Sequence, residues 1–320
     1  MKLLSESKIK KNKFDVLLPL IFILATNFIA IVSLEFCIMI FLVFPVAITS
    51  FYIYCAKKSS RTNVFFIFSL LSAIYFICLF EFFVPLLELL PQENFVFVSL
   101  ITLTVIFFFK TYQHSSLNRL GASSSTTSES LKNNTNDSVS VSLIEAEEKQ
   151  CDSDEDLDSE DKNSCSICRK FIPARTFHCN SCKSCIIGRD HHNYFLNCCI
   201  GRFNHKYFLF GCISSFSALL LFANLSLTSI CHPFPVFKIF GVMFLLPDDC
   251  TDVFRETEIA LCFVGAIYAI ELAIALFIVI IHQFVLISKG MTSHEFWIHK
   301  ERVNSRKYGI WRNWKNFCYI

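Results

Sequence analysis

This 320-residue chain has little net charge and little glycine. Its 29 Lys and Arg nearly cancel 27 Asp and Glu, leaving a formal net charge of +2. Bulk charge therefore points to no nucleic-acid partner. Only 8 residues are glycine, while 37 are phenylalanine and 53% are hydrophobic. That balance is too apolar for an ordinary soluble domain of this length. The basic N-terminus MKLLSESKIKKNKF runs into an apolar stretch far longer than a signal-peptide core, with no small-residue cleavage site. No cleavable signal peptide is expected.

The chain does hold long apolar blocks. A helix needs roughly 20 apolar residues to cross a bilayer, and several blocks reach that length. The first, at about 14–55, is too long for one span and long enough for two, with Glu35 near a turn at its midpoint. Runs at about 64–90 and 95–109 follow, separated by PQEN at 91–94, and two more lie at about 207–230 and 259–287. Basic residues favour the cytosolic side of a membrane. Lys8, Lys10, Lys11 and Lys13, then Lys57, Lys58 and Arg61, then Lys110, then Lys289, Lys300, Arg302, Arg306 and Lys307 all fall on one side only if there are six spans. PQEN and the 231–257 loop, with Asp248, Asp249 and Glu256, are then lumenal. Cys231 and Cys250 flank that loop and are read equally as a disulfide or as two free thiols. Glu81 and Glu271 fall inside spans, where an acid faces the bundle interior or marks function. The main reading is a packing role. His282, alone on an apolar segment, receives none.

The expected fold is an all-α polytopic membrane protein of about six transmembrane helices, with a cytosolic cysteine-rich domain in a loop. Four spans occupy 1–112, a linker 113–164, the cysteine-rich domain 165–206, a transmembrane hairpin 207–288 and a cytosolic tail 289–320. The linker contains SSSTTSES and EAEEKQCDSDEDLDSEDK, low in complexity and acidic. It cannot bury enough apolar area to offset ordering and is expected to be disordered. Its sequons at Asn133 and Asn136 are expected to carry no glycan, being cytosolic.

Seven of the 16 cysteines lie between 165 and 199, interleaved with His178, His191 and His192. Such clustering favours metal over disulfides in a reducing compartment. Cys165-x2-Cys168 and Cys179-x2-Cys182 are knuckles, followed by Cys185, His191, His192, Cys198 and Cys199. A structural zinc takes four nitrogen or sulfur ligands, and two zincs account for almost all of these. Arg175 is expected to help balance thiolate charge.

These residues resemble the cysteine-rich domain of the DHHC protein S-acyltransferases, the palmitoyltransferases. The likeness runs through Cys165, Cys168, Pro173-Ala174-Arg175, His178-Cys179, Cys182, Cys185, Asp190-His191-His192, Asn197, Cys199, Gly201, Asn204 and Phe208. MTSHE at 291–295 is similar to the family's Thr-Thr-x-Glu motif, with Ser293 for the second Thr, and YGIWRNW at 308–314 to its C-terminal motif. The usual Asp-Pro-Gly is absent near 110–120. The resemblance implies two structural zincs, one held by Cys165, Cys168, His178 and Cys185 and the other by Cys179, Cys182, His192 and Cys199. It also implies transfer of a fatty acyl group from acyl-CoA through an enzyme cysteine to cysteines of membrane-associated proteins. Asp190 would orient His191, the general base, and Arg175, Thr292, Glu295 and Asn313 would support the domain. Endoplasmic reticulum or Golgi membranes are the implied location, with both termini and the zinc domain cytosolic.

The family's nucleophile is a cysteine after the two histidines. Here that position is Asn193, and Phe195 replaces the tryptophan expected two residues on. An amide nitrogen is delocalised into its carbonyl and is no nucleophile, so the ordinary acyl-enzyme is expected to be lost or strongly impaired. Three readings compete. The chain binds acyl-CoA, substrates or partner acyltransferases without turnover. It transfers by another route, through Cys198 or by His191 activating a substrate thiol. Or it is a RING-like ligase, against which stands the missing final cysteine pair. Cys55, Cys151 and Cys318 are cytosolic on this topology and would be passive acyl acceptors.

Overall fold

The structure, a computed structural model, describes residues 2–58, 63–82, 91–120, 164–239, 242–298 and 309–319. The apolar blocks form α1 Lys2–Ala30, α2 Leu34–Lys58, α3 Val64–Phe82, α4 Pro91–His114, α5 His205–Ile230 and α6 Thr257–Ser288. The helices from α2 to α6 are long and apolar enough to cross a membrane, while the apolar part of α1, Asp15–Ala30, is shorter. The first block is thus two helices, broken at 31–33, with Glu35 exposed in the first turn of α2. PQEN, read as an interruption, instead opens α4. Pro91 stands at the first helical position, where its missing N–H is needed by no helical bond. Residues 83–90, 121–163 and 299–308 lie outside the described residues, as do the sequons and Cys151.

Aromatic side chains fill the bundle. Phe76, Phe80, Phe97, Phe222 and Tyr268 are buried, with Phe76 5.1 Å from both Phe222 and Tyr268. Leu42, Val43 and Ile278 face outward, as expected of surfaces in contact with lipid. Lipid is as apolar as these rings, so polar contacts between helices set much of the register. Tyr75 donates from its hydroxyl to Asn27 Oδ1 (3.0 Å), and the hydroxyls of Ser72 and Tyr268 are 2.6 Å apart, tying α1 to α3 and α3 to α6. Glu271 is half-buried in this bundle, whereas Glu81 and His282 are exposed.

The two ends of the bundle differ in chemistry. After α5 comes an antiparallel hairpin, β7 His232–Ile239 with β8 Val242–Asp249. A disulfide between Cys231 and Cys250 closes its base. At the opposite end lie the Cys/His-rich segment and two short helices, α7 Ser293–Ile298 and α8 Ile310–Tyr319. Helix α6 stops there at Gly290, whose φ of +66° permits the backbone bonds from Gly290 N to Ile287 O and from Met291 N to Leu286 O. Cys231→Ser removes a cross-link spanning 19 positions, and loop-closure entropy sets its cost at about 3 kcal/mol. A fall in thermal midpoint, matched by reducing the wild type, is the expected result.

The all-α expectation describes the membrane part. Among the described residues the connections add four two-stranded antiparallel sheets. Residues 113–120, assigned to the linker from composition, belong to the fold: α4 runs to His114, and Leu120 N donates to Cys185 O (3.0 Å).

Candidate functional site

Three hairpins build the Cys/His segment. They are β1 Ser164–Cys165 with β2 Lys170–Phe171, β3 Phe177–Cys179 with β4 Ser184–Ile186, and β5 His191–Asn193 with β6 Cys198–Ile200. Arg169, Lys183 and Asn197, at φ of 52°, 52° and 50°, take the left-handed conformation at the end of each turn. These residues stand fourteen positions apart, and so do Cys165, Cys179 and Asn193. In the first two turns the cysteine sulfur accepts a backbone N–H, Cys168 N to Cys165 Sγ and Cys182 N to Cys179 Sγ, both 3.4 Å. In the third, Leu196 N donates to Asn193 Oδ1 at 2.9 Å. Asn193 therefore occupies a knuckle-cysteine position, and its amide oxygen takes over the acceptor role of the sulfur.

The same spacing carries His178 to His192 and Cys185 to Cys199. Cys165 and Cys168 from the first hairpin meet His178 and Cys185 from the second, while Cys179 and Cys182 from the second meet His192 and Cys199 from the third. Within each group the ligand atoms all lie within 4.8 Å of one another. His178 Nδ1 is 3.2 Å from Cys168 Sγ, 3.9 Å from Cys165 Sγ and 3.8 Å from Cys185 Sγ. His192 Nδ1 is 3.4, 3.5 and 3.8 Å from the sulfurs of Cys182, Cys199 and Cys179. Four ligands at zinc bond lengths in a tetrahedron lie about 3.3–3.8 Å apart. Both groups fit such an ion in donor chemistry and in spacing.

Asp190 is buried beside the second group, and four donors converge on its carboxylate. Ser293 N reaches Oδ1 at 2.6 Å, while Ser293 Oγ, Gln283 Nε2 and His191 Nδ1 reach Oδ2 at 2.9, 3.0 and 2.7 Å. Burial alone would raise this carboxyl, but His205, then His191 and the bond from Ser293, hold it well below the usual carboxylate range. An ionised carboxylate can only accept. His191 therefore donates its Nδ1 N–H to Asp190, and Nε2 is the ring nitrogen not engaged by the carboxylate. The Phe208 ring stands edge-on to the imidazole, with centroids 5.4 Å apart.

Arg175 does not serve the thiolates as expected. It makes a bidentate pair with Glu295, Nε to Oε1 at 2.7 Å and Nη2 to Oε2 at 2.8 Å. Thr292 and Glu295 cap the start of α7 reciprocally: Thr292 N donates to Glu295 Oε2 (2.9 Å) and Glu295 N to Thr292 Oγ1 (3.2 Å). Asn313 Nδ2 donates to Ser288 O (2.8 Å), a carbonyl left open at the end of α6. Sequence reasoning missed Gln283 and His205, whose Nε2 lies 2.8 Å from Gln283 Oε1. A glutamine within an apolar run was the available signal.

Cys198 pairs directly across the ladder from Asn193. Its side chain is buried among Ile200, Phe208 and Cys212. Burial, with the charge of Cys182, pushes its thiol up to about 12. Of the other cysteines considered as acceptors, Cys55 is buried and Cys318 is exposed on α8.

Residues 158–300 match the model of the DHHC palmitoyltransferase family. This stretch of the chain, somewhat under half of it, is similar to that family's domain. Over 171 residues it is 25% identical to Palmitoyltransferase ZDHHC23-B of Danio rerio, a stretch amounting to 49% of this chain and 38% of that protein. The chain thus matches well under half of that relative's length. Both Cys/His groups fall within the DHHC match, as do Asp190, the cap of α7 and helices α5 and α6.

Proposed function

We propose that this protein is a member of the DHHC family that holds two structural zinc ions, binds fatty acyl-CoA at the cytosolic face of an endoplasmic reticulum or Golgi membrane, and forms no acyl-enzyme at residue 193. The observation that carries this reading is Asn193 itself, in the nucleophile's position with its Oδ1 bonded to Leu196 N. Cys165, Cys168, His178 and Cys185 would hold one zinc, and Cys179, Cys182, His192 and Cys199 the other. Bound there, zinc supplies rigid cross-links between hairpins that have almost no apolar core of their own. Asp190 fixes the tautomer and direction of His191, and Arg175, Thr292, Glu295 and Asn313 brace the segment against α6. Cysteines of membrane-associated proteins are the intended acyl acceptors of this family's chemistry.

Topology follows from the same chemistry. Thiol clusters require a reducing compartment and a disulfide an oxidising one. The two lie at opposite ends of the bundle, so the Cys/His end is cytosolic, in agreement with the basic residues. Cys198 is a poor substitute nucleophile. It is adjacent to the missing atom but buried, and a reactive thiol must be accessible.

Labelling the purified full chain with a clickable palmitoyl-CoA tests this reading. No hydroxylamine-sensitive adduct is expected within 190–199. A labelled peptide from that stretch whose label disappears in Cys198→Ala would establish a displaced nucleophile and end the proposal.

A further inference from the structure

We infer that the seam between α4 and α5, at the Cys/His end of the bundle, is a binding site for an anionic phospholipid. The inference is independent of the acyl chemistry proposed above. It begins with one aromatic ring. The Tyr207 ring, in the first turn of α5, has two ammonium groups beside it. Lys110 Nζ from α4 lies 5.7 Å from the ring centroid and Lys206 Nζ lies 5.6 Å from it. The His114 imidazole stands edge-on to the same ring, with centroids 5.0 Å apart. Cation–π attraction holds each ammonium near the ring. It does nothing to relieve the repulsion between the two. Neither lysine has a carboxylate partner among the described residues. Two like charges gathered around one ring favour an anion supplied from outside the chain.

The position of the cluster selects the anion. Lys110 stands one turn before the end of α4, while Lys206 and Tyr207 open α5. Both helices are long and apolar enough to cross a membrane, so the cluster lies where hydrocarbon gives way to headgroups. One turn deeper the same surface becomes apolar. Phe107 precedes Lys110 by three positions and Phe210 follows Tyr207 by three, so each shares a helix face with the residue above it. The two phenyl rings meet across the seam with centroids 5.6 Å apart, and Phe210 is 47% exposed. Gly211 lets the helices pack this closely, because a Cβ there would lie 2.6 Å from the Phe108 ring. Cations above an apolar seam match the two ends of one lipid. The phosphate takes the ammoniums, and an acyl chain lies along Phe107 and Phe210. Basic pockets between membrane helices recognise anionic headgroups in this way.

The test uses the purified full chain in detergent, titrated with phosphatidylserine or with phosphatidylcholine of the same acyl chains, with bound lipid counted by native mass spectrometry. Phosphatidylserine adducts should outnumber phosphatidylcholine adducts at equal concentration. Affinity for phosphatidylserine should fall about five-fold in Lys110→Gln and about twenty-five-fold when Lys206→Gln is added, the usual worth of basic residues at an anionic surface. Phosphatidylcholine uptake should not change. Lys315→Gln is the control, because that ammonium lies beside Tyr319 on α8 instead of on the seam. Equal uptake of the two lipids by the wild type overturns the inference. So does a preference that survives in the double variant, or one that Lys315→Gln lowers as far as the double variant does. A photoactivatable phosphatidylserine on the wild type needs no variant. Its cross-links are expected within 103–114 and 205–214, and cross-links confined to other segments overturn the inference as well.

Discussion

Cys179→Ser is expected to lower bound zinc from two ions per chain to about one and to unfold much of the Cys/His segment. Cys179 is buried at the centre of the second group and sits on β3, the strand that also presents His178 to the first. The three hairpins have strands of only two or three residues, far too short to be stable alone. Their packing cluster contains Cys179, Ile186 and Cys199, so the ligands themselves make up most of it. On the proposed reading metal binding supplies the missing free energy, and structural zinc contributes about 10–16 kcal/mol in small domains. Removing one ligand forfeits a large share of it. Metal analysis of the purified protein, with proteolysis across 164–204, checks the outcome. Asn193→Ser serves as the control, because residue 193 is a member of neither ligand group, and it should retain both ions.

Asp190→Asn is expected to be the most damaging change outside the ligands. The carboxylate accepts from Ser293 N, Ser293 Oγ, Gln283 Nε2 and His191 Nδ1 in a buried setting. An asparagine offers one oxygen and turns an NH2 group toward donors, leaving at least one of them unpaired. Breaking such a buried charged network costs about 3–5 kcal/mol. The pH dependence has a definite sign. The native carboxyl lies below its ordinary value, so its contribution is complete above the unfolded pKa of about 3.9 and is lost as pH falls toward the lower native value. Wild-type chemical-denaturation midpoints should therefore drop through the acid range below about pH 4. Asp190→Asn should start lower and lack that component.

Much of this architecture was legible before any coordinates, and the physical reasons are specific. Apolar runs announce membrane helices because the bilayer leaves the backbone few alternatives. The break at 31–33 was signalled by the length of the block, by Glu35 near its midpoint and by charge parity. Cysteine and histidine spacing reports metal sites because tetrahedral geometry tolerates few alternatives. Contacts of long range were not legible. Gln283 meets Asp190 across 93 positions and Arg175 meets Glu295 across 120, and no local pattern encodes either pairing. Arg175 was assigned to thiolates because they are near in sequence, whereas a buried carboxylate on α7 is the better bidentate partner. The fourteen-residue spacing lay in plain view. It escaped notice because the third copy has Asn193 and Leu196 where the first two have cysteine pairs. Only the shared N–H acceptor geometry makes the three equivalent.

That equivalence makes Asn193→Cys the most direct test of the account. A sulfur at 193 would sit where Cys165 and Cys179 sit in their own turns, accept from Leu196 N and share a strand face with His191. The measurement is hydroxylamine-sensitive palmitoyl label on the full chain, mapped by peptide mass spectrometry, in wild type and Asn193→Cys side by side. The account predicts no label within 190–199 in the wild type and a labelled Cys at 193 in the variant, with two zinc ions in both. A wild-type chain that carries acyl thioester on Cys198 would contradict it, as would a folded, zinc-loaded variant that never acquires label.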